Sequence, residues 1–177
     1  MRFSHLRLAV LLILGLLVSA CSTEPQRETE NPSEPLTVFL FRHAEKADDG
    51  TDDPPLTDRG LQRARVLRDL LLPNGIDHIY STDYRRTRQT AQPLADTLNM
   101  PILSYPSFDS TFLDQLPIKH AGQKVLLIGH SNTVPATVNY LSGQAFPDLD
   151  KLEYDKLFLL SGQKSSWVVN RLSVPPL

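Results

Sequence analysis

The sequence predicts a three-layer αβα sandwich, with a mostly parallel central sheet, helices on both of its faces and an antiparallel edge strand. Two observations support this prediction. From Leu36 onward, short apolar runs rich in β-branched residues alternate with longer segments of helical periodicity, which is typical of βα units. The last two apolar runs are separated only by SGQKS, a connection short enough for an antiparallel hairpin.

Six strands are predicted, each a short apolar run bounded by polar or turn residues. They cover residues 36–41, 76–80, 102–105, 124–128, 157–160 and 166–170. The first four alternate with helical patterns and are expected to form the parallel part of the sheet. The last two are expected to pair as the edge hairpin.

The first predicted helix begins after Thr57, whose side chain can cap it, and ends at Pro73-Asn74-Gly75. Its apolar residues recur at helical spacing: Leu61, Ala64, Leu67, Leu70 and Leu71. Its arginines are expected to form a solvated face: Arg59, Arg63, Arg65 and Arg68.

Two further helices are predicted, over about residues 84–98 and 132–141. Pro93 has no backbone N–H, so we expect it to kink the earlier helix or to mark a restart. Ser142-Gly143 ends the later one. No helix is predicted between the third and fourth strands.

The composition is that of an ordinary globular protein with one domain. The 177 residues are 41% hydrophobic and 21% charged, with a formal net charge of -2. Without a basic face, nucleic acid is not expected as a partner. Because Cys21 is the only cysteine, a disulfide within the chain is excluded.

The first 20 residues have the pattern of an export signal. Two arginines precede an unbroken apolar run from Leu8 to Ala20, which is shorter than the roughly 20 residues that a transmembrane helix needs. Val18-Ser19-Ala20-Cys21 resembles a bacterial lipobox, which implies cleavage before Cys21 and lipid on its thiol. The alternative is an ordinary signal with a cysteine near its cleavage site.

These patterns divide the chain into a lipoprotein signal peptide at residues 1–20, a flexible tether at residues 21–35 and a folded domain at residues 36–177. The tether is polar and rich in Pro and Glu, without apolar periodicity. We therefore expect an exported protein that its lipid anchors to a membrane on the periplasmic side, the outer membrane if the source is Gram-negative.

Polar side chains follow each of the first four predicted strands, at the edge where an open α/β sheet binds ligands. After the first strand come Arg42, His43 and Glu45; after the second Ser81, Arg85 and Arg86; after the third Ser107 and Asp109; and after the fourth His130, Ser131 and Asn132. Two histidines and at least two arginines should therefore share one pocket.

This set of residues suits a phosphate monoester. Arginine forks bind its dianionic oxygens, and a neutral imidazole can attack phosphorus while cationic groups stabilise the transferring oxygens. Such chemistry needs neither metal nor cofactor. A zinc site built from His43, His130 and a carboxylate is the alternative, and it is disfavoured because two adjacent arginines would repel the cation.

Three motifs in this order resemble those of the histidine phosphatase superfamily, also called phosphoglycerate mutase-like. They are FRHAEK (residues 41–46), STDYRRTRQTA (residues 81–91) and LLIGHSN (residues 126–132), and PPLTDRG (residues 54–60) is similar to the superfamily's entry to its first helix. The resemblance covers residues 36–168, and it differs at Ala44, where the superfamily usually has glycine.

The resemblance implies a metal-independent phosphoric monoester hydrolase that acts on a phosphorylated small molecule or another phosphomonoester. By its motifs, His43 is the nucleophile that becomes a phosphohistidine, and Arg42, Arg86 and His130 form the phosphate pocket. We select Arg86 over its neighbours because Arg86 and Thr90 reproduce the motif's spacing, one helical turn apart.

The proton donor is left open by the motifs, because Ser131-Asn132 stands where some branches have an aspartate. Asp109 is the first choice, since it lies nearest the end of the third strand, and Glu45 and Asp114 are alternatives. Two other functions stay open with it. One is a non-catalytic module that binds a phosphorylated ligand, and the other is a phosphotransferase or mutase.

Overall fold

The computed structural model describes residues 34–163 and 166–175. The predicted signal peptide, the lipidation of Cys21 and almost all of the predicted tether lie outside these residues. Within the described ranges, none of the helices is both long and apolar enough to cross a membrane.

In the described part of the chain, the central sheet has six strands: β1 (Leu36–Arg42), β2 (His78–Ser81), β3 (Ile102–Ser104), β4 (Lys124–Gly129), β5 (Lys156–Gln163) and β6 (Ser166–Ser173). Their order across the sheet is β3-β2-β4-β1-β5-β6. The first four strands in this order are parallel, whereas β5 and β6 add an antiparallel edge. The predicted fold class and the edge hairpin are thus confirmed.

Among the described residues, four α-helices cover the two faces of the sheet: α1 (Asp58–Leu71), α2 (Arg85–Leu98), α3 (Ser110–Lys119) and α4 (Thr133–Ser142). Strand β1 has apolar side chains on both faces of the sheet, and they alternate between two buried clusters. Both faces must therefore be covered by helices. Phe39 and Phe41 pack in the cluster that includes residues of α1 and α2. Val38 and Leu40 pack in the cluster that includes residues of α3 and α4.

The helix boundaries follow local signals. The Thr57 hydroxyl accepts a 3.1 Å hydrogen bond from the backbone N–H of Gly60, so Thr57 caps α1 as predicted. Helix α2 continues across Pro93 as one element, so of the two effects predicted for Pro93 the restart is excluded. Helix α3 was not predicted, and Asp109 is the residue that caps it.

Two further expectations need correction. Arg63 does not face solvent, because only 5% of its surface is exposed and its guanidinium is paired with Glu45. Strand β5 continues through Gln163, so most of the predicted SGQKS connection belongs to the strand. Backbone pairing with β6 extends to Gln163 and Ser166, which lengthens the hairpin beyond the apolar run that predicted it.

Strand register positions the polar residues that follow β1 and β4. Arg42 is the partner of Gly129 in the parallel ladder, and Ser81 of β2 is the partner of Ile128. The residues that follow these pairs therefore emerge side by side at one edge of the sheet. This edge is where the sequence predicts the phosphate pocket.

Candidate active site

His43 and His130 lie next to each other because each follows one member of the Arg42–Gly129 pair. The backbone N–H of His43 donates to the carbonyl of Gly129 at 2.9 Å, which extends the ladder by one bond. The two imidazole rings meet edge to face, with centroids 5.6 Å apart. Sheet geometry alone thus brings together two residues that are 87 positions apart in the chain.

The imidazole of His43 is fixed in one orientation. Its Nδ1 lies 2.7 Å from the carbonyl oxygen of Ala44. Since a carbonyl oxygen can only accept, Nδ1 must carry the proton, and the neutral ring has its lone pair on Nε2. The lone pair that His43 can offer to a ligand is therefore the one on Nε2.

The pKa of His43 is lowered from the ordinary 6.5 to about 3. The largest cause is burial, since only 4% of the residue is exposed, and the nearby cations Arg42 and Arg86 add to it. The ring is consequently neutral, and its nucleophilic lone pair is available, throughout the physiological pH range.

The guanidinium of Arg42 is buried beside His43 and supported from the loop that precedes β5. Its Nη1 donates to the carbonyls of Asp150 and Glu153 at 2.8 and 3.0 Å. The ring of Tyr154 lies 4.2 Å from Cζ of Arg42 and 6.1 Å from the ring of His43. Burial lowers the pKa of Arg42 from its ordinary value.

Arg86, in the first turn of α2, supplies a second guanidinium. Its Nη1 donates to the carbonyl of Asp52 at 3.2 Å and lies 3.6 Å from the Asp53 carboxylate. Its Cζ lies 4.3 Å from the centre of the Tyr84 ring. The neighbouring Arg85 is exposed, which agrees with the choice of Arg86 on spacing.

His130 is held by a hydroxyl group in the loop between β2 and α2. Its Nε2 lies 3.0 Å from the Thr82 hydroxyl, which also bonds to Thr87. Burial, followed by the positive charges of Arg86 and Arg42, lowers the pKa of His130 from 6.5 to about 4. A phosphate dianion bound beside it would oppose this shift and favour a protonated, hydrogen-bond-donating ring.

Glu45 is held as a carboxylate. Nε and Nη2 of Arg63 donate to it at 2.7 to 3.0 Å, and Nε of Arg59 lies 3.3 Å away. Burial alone would raise the pKa of Glu45, but these interactions outweigh it and lower the pKa. The segment also packs closely on α1, because a Cβ at Gly60 would collide with the carbonyl oxygen of Glu45.

Asp109 lies at the start of α3. Its Oδ1 accepts hydrogen bonds from the backbone N–H groups of Thr111 and Phe112 at 2.8 and 3.4 Å. It also lines a cavity together with Tyr80 and Lys119, and the lining of that cavity includes neither catalytic histidine candidate. The alternative Asp114 accepts a 2.8 Å hydrogen bond from the Tyr140 hydroxyl.

Sequence reasoning missed two tyrosines of the site. Tyr84 contacts both Arg86 and the ring of His130, whose centroid is 5.0 Å from its own. Tyr154 contacts both Arg42 and His43. Tyr84 could have been found from its place inside the STDYRRTRQTA motif, but Tyr154 stands in an irregular loop that carries no motif.

The arrangement can bind and transfer a tetrahedral anion. Nε of Arg42 and Nε of Arg86 are buried without a hydrogen-bond partner among the described residues. Buried donors are rarely left unpaired, so the oxygens of a ligand are their natural acceptors. No group of three or more His, Cys, Asp or Glu side chains in the described part of the chain could hold a metal ion.

Comparison with known families identifies a match to part of this chain. The model of the histidine phosphatase superfamily, branch 1, matches residues 38–109. The protein named "Probable phosphoglycerate mutase GpmB" of Enterobacter sp. (strain 638) is 35% identical over 91 residues, or 48% of this chain and 42% of that protein. The similarity therefore spans less than half of the length of this curated relative.

Solved structures show the same fold over most of the domain. The protein histidine phosphatase SixA complexed with tungstate matches with a TM-score of 0.65 and 24% identity, over 77% of this chain and 96% of that chain. The alpha-ribazole phosphatase from Shigella flexneri matches with a TM-score of 0.65 and 15% identity, over 77% and 96%. A mycobacterial glucosyl-3-phosphoglycerate phosphatase with VO3 has a TM-score of 0.65 and 13% identity, over 78% and 99%.

Proposed function

We propose that the chain belongs to the histidine phosphatase superfamily, branch 1, whose model matches residues 38–109, and that it is a phosphatase that hydrolyses phosphomonoesters through a phosphohistidine on His43. Members of this superfamily are hydrolases or mutases. The observation that carries the proposal is the 2.7 Å hydrogen bond from Nδ1 of His43 to the carbonyl of Ala44. It leaves the Nε2 lone pair available for attack beside buried Arg42 and partly buried Arg86.

In the first step, Nε2 of His43 forms a bond to phosphorus while the bond from phosphorus to the ester oxygen breaks. The departing alkoxide takes a proton from an acid and leaves as an alcohol. In the second step, water attacks phosphorus and returns a proton to that acid while the bond to Nε2 breaks, and inorganic phosphate leaves. Arg42, Arg86 and His130 stabilise the negative charge of the equatorial oxygens in both steps.

The unpaired buried donors of Arg42 and Arg86 support binding of the transferring phosphoryl group. The comparisons agree with this role, because two proteins of the same fold are described in complex with tungstate and with VO3. Tungstate is a tetrahedral oxyanion like phosphate, and VO3 has the three oxygens of a transferring phosphoryl group. Cation–π contacts with Tyr154 and Tyr84 hold the guanidinium groups of Arg42 and Arg86, respectively, in place before the ligand binds.

Asp109 stays our predicted proton donor, with Glu45 as the alternative. A donor must be protonated at the moment of transfer, whereas Glu45 is paired with two arginines and its pKa is lowered. These contacts favour Asp109 over Glu45. To act, Asp109 would have to exchange its bonds to the first turn of α3 for the leaving oxygen.

The test is hydrolysis of p-nitrophenyl phosphate by residues 22–177, with a chelator present, beside the His43→Ala variant. We expect turnover that survives the chelator and is lost in the variant. Brief incubation with 32P-labelled substrate should trap an acid-labile phosphoprotein only when His43 is present.

Wild-type rates in His43→Ala would refute the mechanism. Phosphate binding without turnover would favour a non-catalytic module, and phosphate transfer to an added alcohol would favour a phosphotransferase or mutase.

A second candidate function is the dephosphorylation of phosphohistidine on proteins. The observation that favours it is that both predicted proton donors already have partners. Glu45 is paired with Arg63, and Asp109 caps α3. An imidazole is a better leaving group than an alkoxide and needs less help from an acid. A protein histidine phosphatase is also among the structural matches. A phosphohistidine peptide hydrolysed much faster than an alkyl phosphate would support this reading.

We also propose that Cys21 carries lipid and anchors the protein to a membrane on the periplasmic side. The support is the sequence pattern alone, with the apolar run that ends at the lipobox-like Val18-Ser19-Ala20-Cys21. Metabolic labelling with an alkyne-bearing fatty acid should mark the wild type and not Cys21→Ser. Equal labelling of both would rule out the anchor.

A further inference from the structure

A cavity of about 470 Å³ shares one residue of its lining, Tyr154, with the proposed active site. Its lining includes Arg59, Arg63, Leu152, Tyr154, Asp155 and Val174, and we call it the Arg63 cavity. The ring of Tyr154 lies 4.2 Å from Cζ of Arg42 and 6.1 Å from the ring of His43. The side chain of Tyr154 therefore borders both the cavity and the proposed phosphate pocket.

Arg63 lines this cavity and has a hydrogen-bond donor that no described residue accepts. The residue is only 5% exposed, and its Nε and Nη2 are both taken by Glu45. Its Nη1 is buried without a hydrogen-bond partner among the described residues. A buried guanidinium nitrogen without an acceptor raises the free energy of the protein. A ligand that supplies a hydrogen-bond acceptor removes this cost and gains affinity.

The lining of the cavity carries one net positive charge, from Arg59 and Arg63 against Asp155, and neither Glu45 nor Glu153 is part of it. Glu45 lies 3.3 and 2.7 Å from the two arginines. Lys156 lies 2.8 Å from the Asp155 carboxylate, where its hydrogen bond lowers the pKa of Asp155, and 3.7 Å from Glu153. The cavity is thus suited electrostatically to one additional anionic group.

The rest of the lining is apolar. Leu152, Val174 and Pro175 form part of the wall, and the face of Tyr154 adds an aromatic surface. A group that combines a carboxylate with an apolar or aromatic skeleton matches both parts of this lining. A small, fully hydrated anion matches only the arginine part.

We propose that the Arg63 cavity binds a second anionic group of the substrate, so that phosphomonoesters with a carboxylate or another phosphoryl group on an apolar skeleton are preferred. This inference rests on the proposed phosphatase function of His43. The same donor could also bind a free anion that is not part of the substrate, and the experiment below separates the two sources.

The first arm compares 3-(4-phosphonooxyphenyl)propanoate with its methyl ester, which has nearly the same shape and no carboxylate charge. In the wild type we expect kcat/KM to favour the acid about tenfold, the size of one hydrogen bond between charged groups. Leu152 is 89% exposed, so substitutions there should not impair folding. Leu152→Glu should lower the acid-to-ester ratio of kcat/KM, and Leu152→Lys should raise it. The matched neutral variant Leu152→Gln should give a ratio between those two values.

The ester carries no charge for the new side chains to repel or attract, so loss of the apolar Leu152 contact should affect it alike in all three variants, and the acid-to-ester ratio isolates the effect of charge. An acid-to-ester ratio near one in the wild type would overturn the proposal. So would a ratio that changes equally in Leu152→Glu and Leu152→Lys, because only a charge interaction depends on the sign of the new side chain.

The second arm does not depend on catalysis. Unphosphorylated 3-phenylpropanoate is titrated into the wild type, His43→Ala and Leu152→Glu while the NMR signal of Nε–H of Arg63 is followed. We expect the signal to shift in the first two proteins and to shift less in Leu152→Glu. Absence of any shift would count against an anion site.

The two arms distinguish failure of this inference from failure of the proposed function. If neither ester nor acid is hydrolysed but the Arg63 signal shifts, the phosphatase function fails and the anion site stands. If both are hydrolysed equally and the signal still shifts, the site takes a free anion and the substrate preference is refuted. If both are hydrolysed equally without a shift, only the phosphatase function survives.

Discussion

The side chain of Thr90 in α2 accepts a 3.0 Å hydrogen bond from the backbone N–H of Ala44, the residue after the proposed nucleophile. The same hydroxyl donates to the carbonyl of Arg86 at 2.7 Å. Thr90 is buried, and it ties the end of β1 to the first turn of α2. Through Ala44, whose carbonyl accepts from Nδ1 of His43, this contact fixes the orientation of the imidazole.

Thr90→Val should therefore lower kcat more than it raises KM, because the ring of His43 loses its positioning while the arginines stay. We expect a loss of about tenfold in kcat, together with about 1–3 kcal/mol of unfolding free energy for the unpaired N–H of Ala44. Thr90→Ser keeps the hydroxyl and is the matched control. Equal activity of the Val and Ser variants would show that Thr90 does not position His43.

Arg86→Ala should reduce kcat/KM for p-nitrophenyl phosphate by roughly 10²- to 10³-fold, the range observed when a transition-state donor is removed. Arg86→Lys should recover only part of this loss, since a lysine keeps the charge and lacks the planar fork. Arg88→Ala is the control, because Arg88 lies on the same helix, is 42% exposed and pairs with Asp83. Similar rates in the Arg86 and Arg88 variants would remove Arg86 from the pocket.

Acidic pH should destabilise the protein through His43 and His130. Their pKa values are lowered to about 3 and about 4, so the unfolded state binds more protons at every pH between 6.5 and those values. Stability is thus fully present above pH 6.5 and is lost as the pH falls, by up to about 1.4 kcal/mol per pH unit for each histidine.

Urea unfolding at pH 7 and pH 5 measures this effect. We expect the decrease in unfolding free energy to be smaller in His43→Ala than in the wild type, whereas Arg88→Ala should keep the full decrease. The same shifts predict that the NMR signals of both rings will not titrate between pH 5 and 8. A midpoint near 6.5 for His43 would contradict its burial and would reopen the protonation state of the nucleophile.

Glu45→Gln should lower the unfolding free energy by about 3 kcal/mol, because buried Arg63 would lose the charge that compensates its own. Arg59→Ala removes the other partner of Glu45, but Arg59 is 67% exposed, so we expect a change below about 1 kcal/mol. Thermal or urea unfolding of both variants gives the comparison. Equal, small effects would mean that the Arg63–Glu45 pair is not a major part of the fold's stability.

The sequence was sufficient for the sheet and for the residues at its carboxyl edge. Apolar runs identify the buried strands β1 and β4, and parallel pairing brings the carboxyl ends of the two strands together. His43 and His130 could therefore be placed in one site before the register of β1 against β4 was known. The spacing that singled out Arg86 agrees with the structure, in which Arg86 is less exposed than Arg85. These are consequences of local patterns and of one topological rule.

Other features depend on partners that no local pattern reveals. Arg63 is one of several arginines on α1, and only its contact with Glu45, 18 residues earlier, distinguishes it from a solvated side chain. Helix α3 was missed because Pro117 interrupts its pattern and little apolar periodicity remains. Tyr154 reaches Arg42 from an irregular loop between α4 and β5, where periodicity carries no information.

The predicted proton donor can be tested through the leaving group. If Asp109 protonates the departing oxygen, Asp109→Asn should slow hydrolysis of an alkyl phosphate by about 10²-fold or more and leave p-nitrophenyl phosphate nearly unchanged. The reason is that p-nitrophenolate leaves readily as an anion, whereas an alkoxide requires a proton. Asp114→Asn is the matched control from the same segment.

The capping role of Asp109 must be separated from this effect. Asn is itself a good helix cap, so Asp109→Asn should keep the bonds to the N–H groups of Thr111 and Phe112 and should unfold like the wild type. A uniform loss on both substrates would indicate a structural role for Asp109. If both substrates are hydrolysed at wild-type rates, Asp109 is not the donor, and a site that prefers leaving groups such as imidazole becomes the better description.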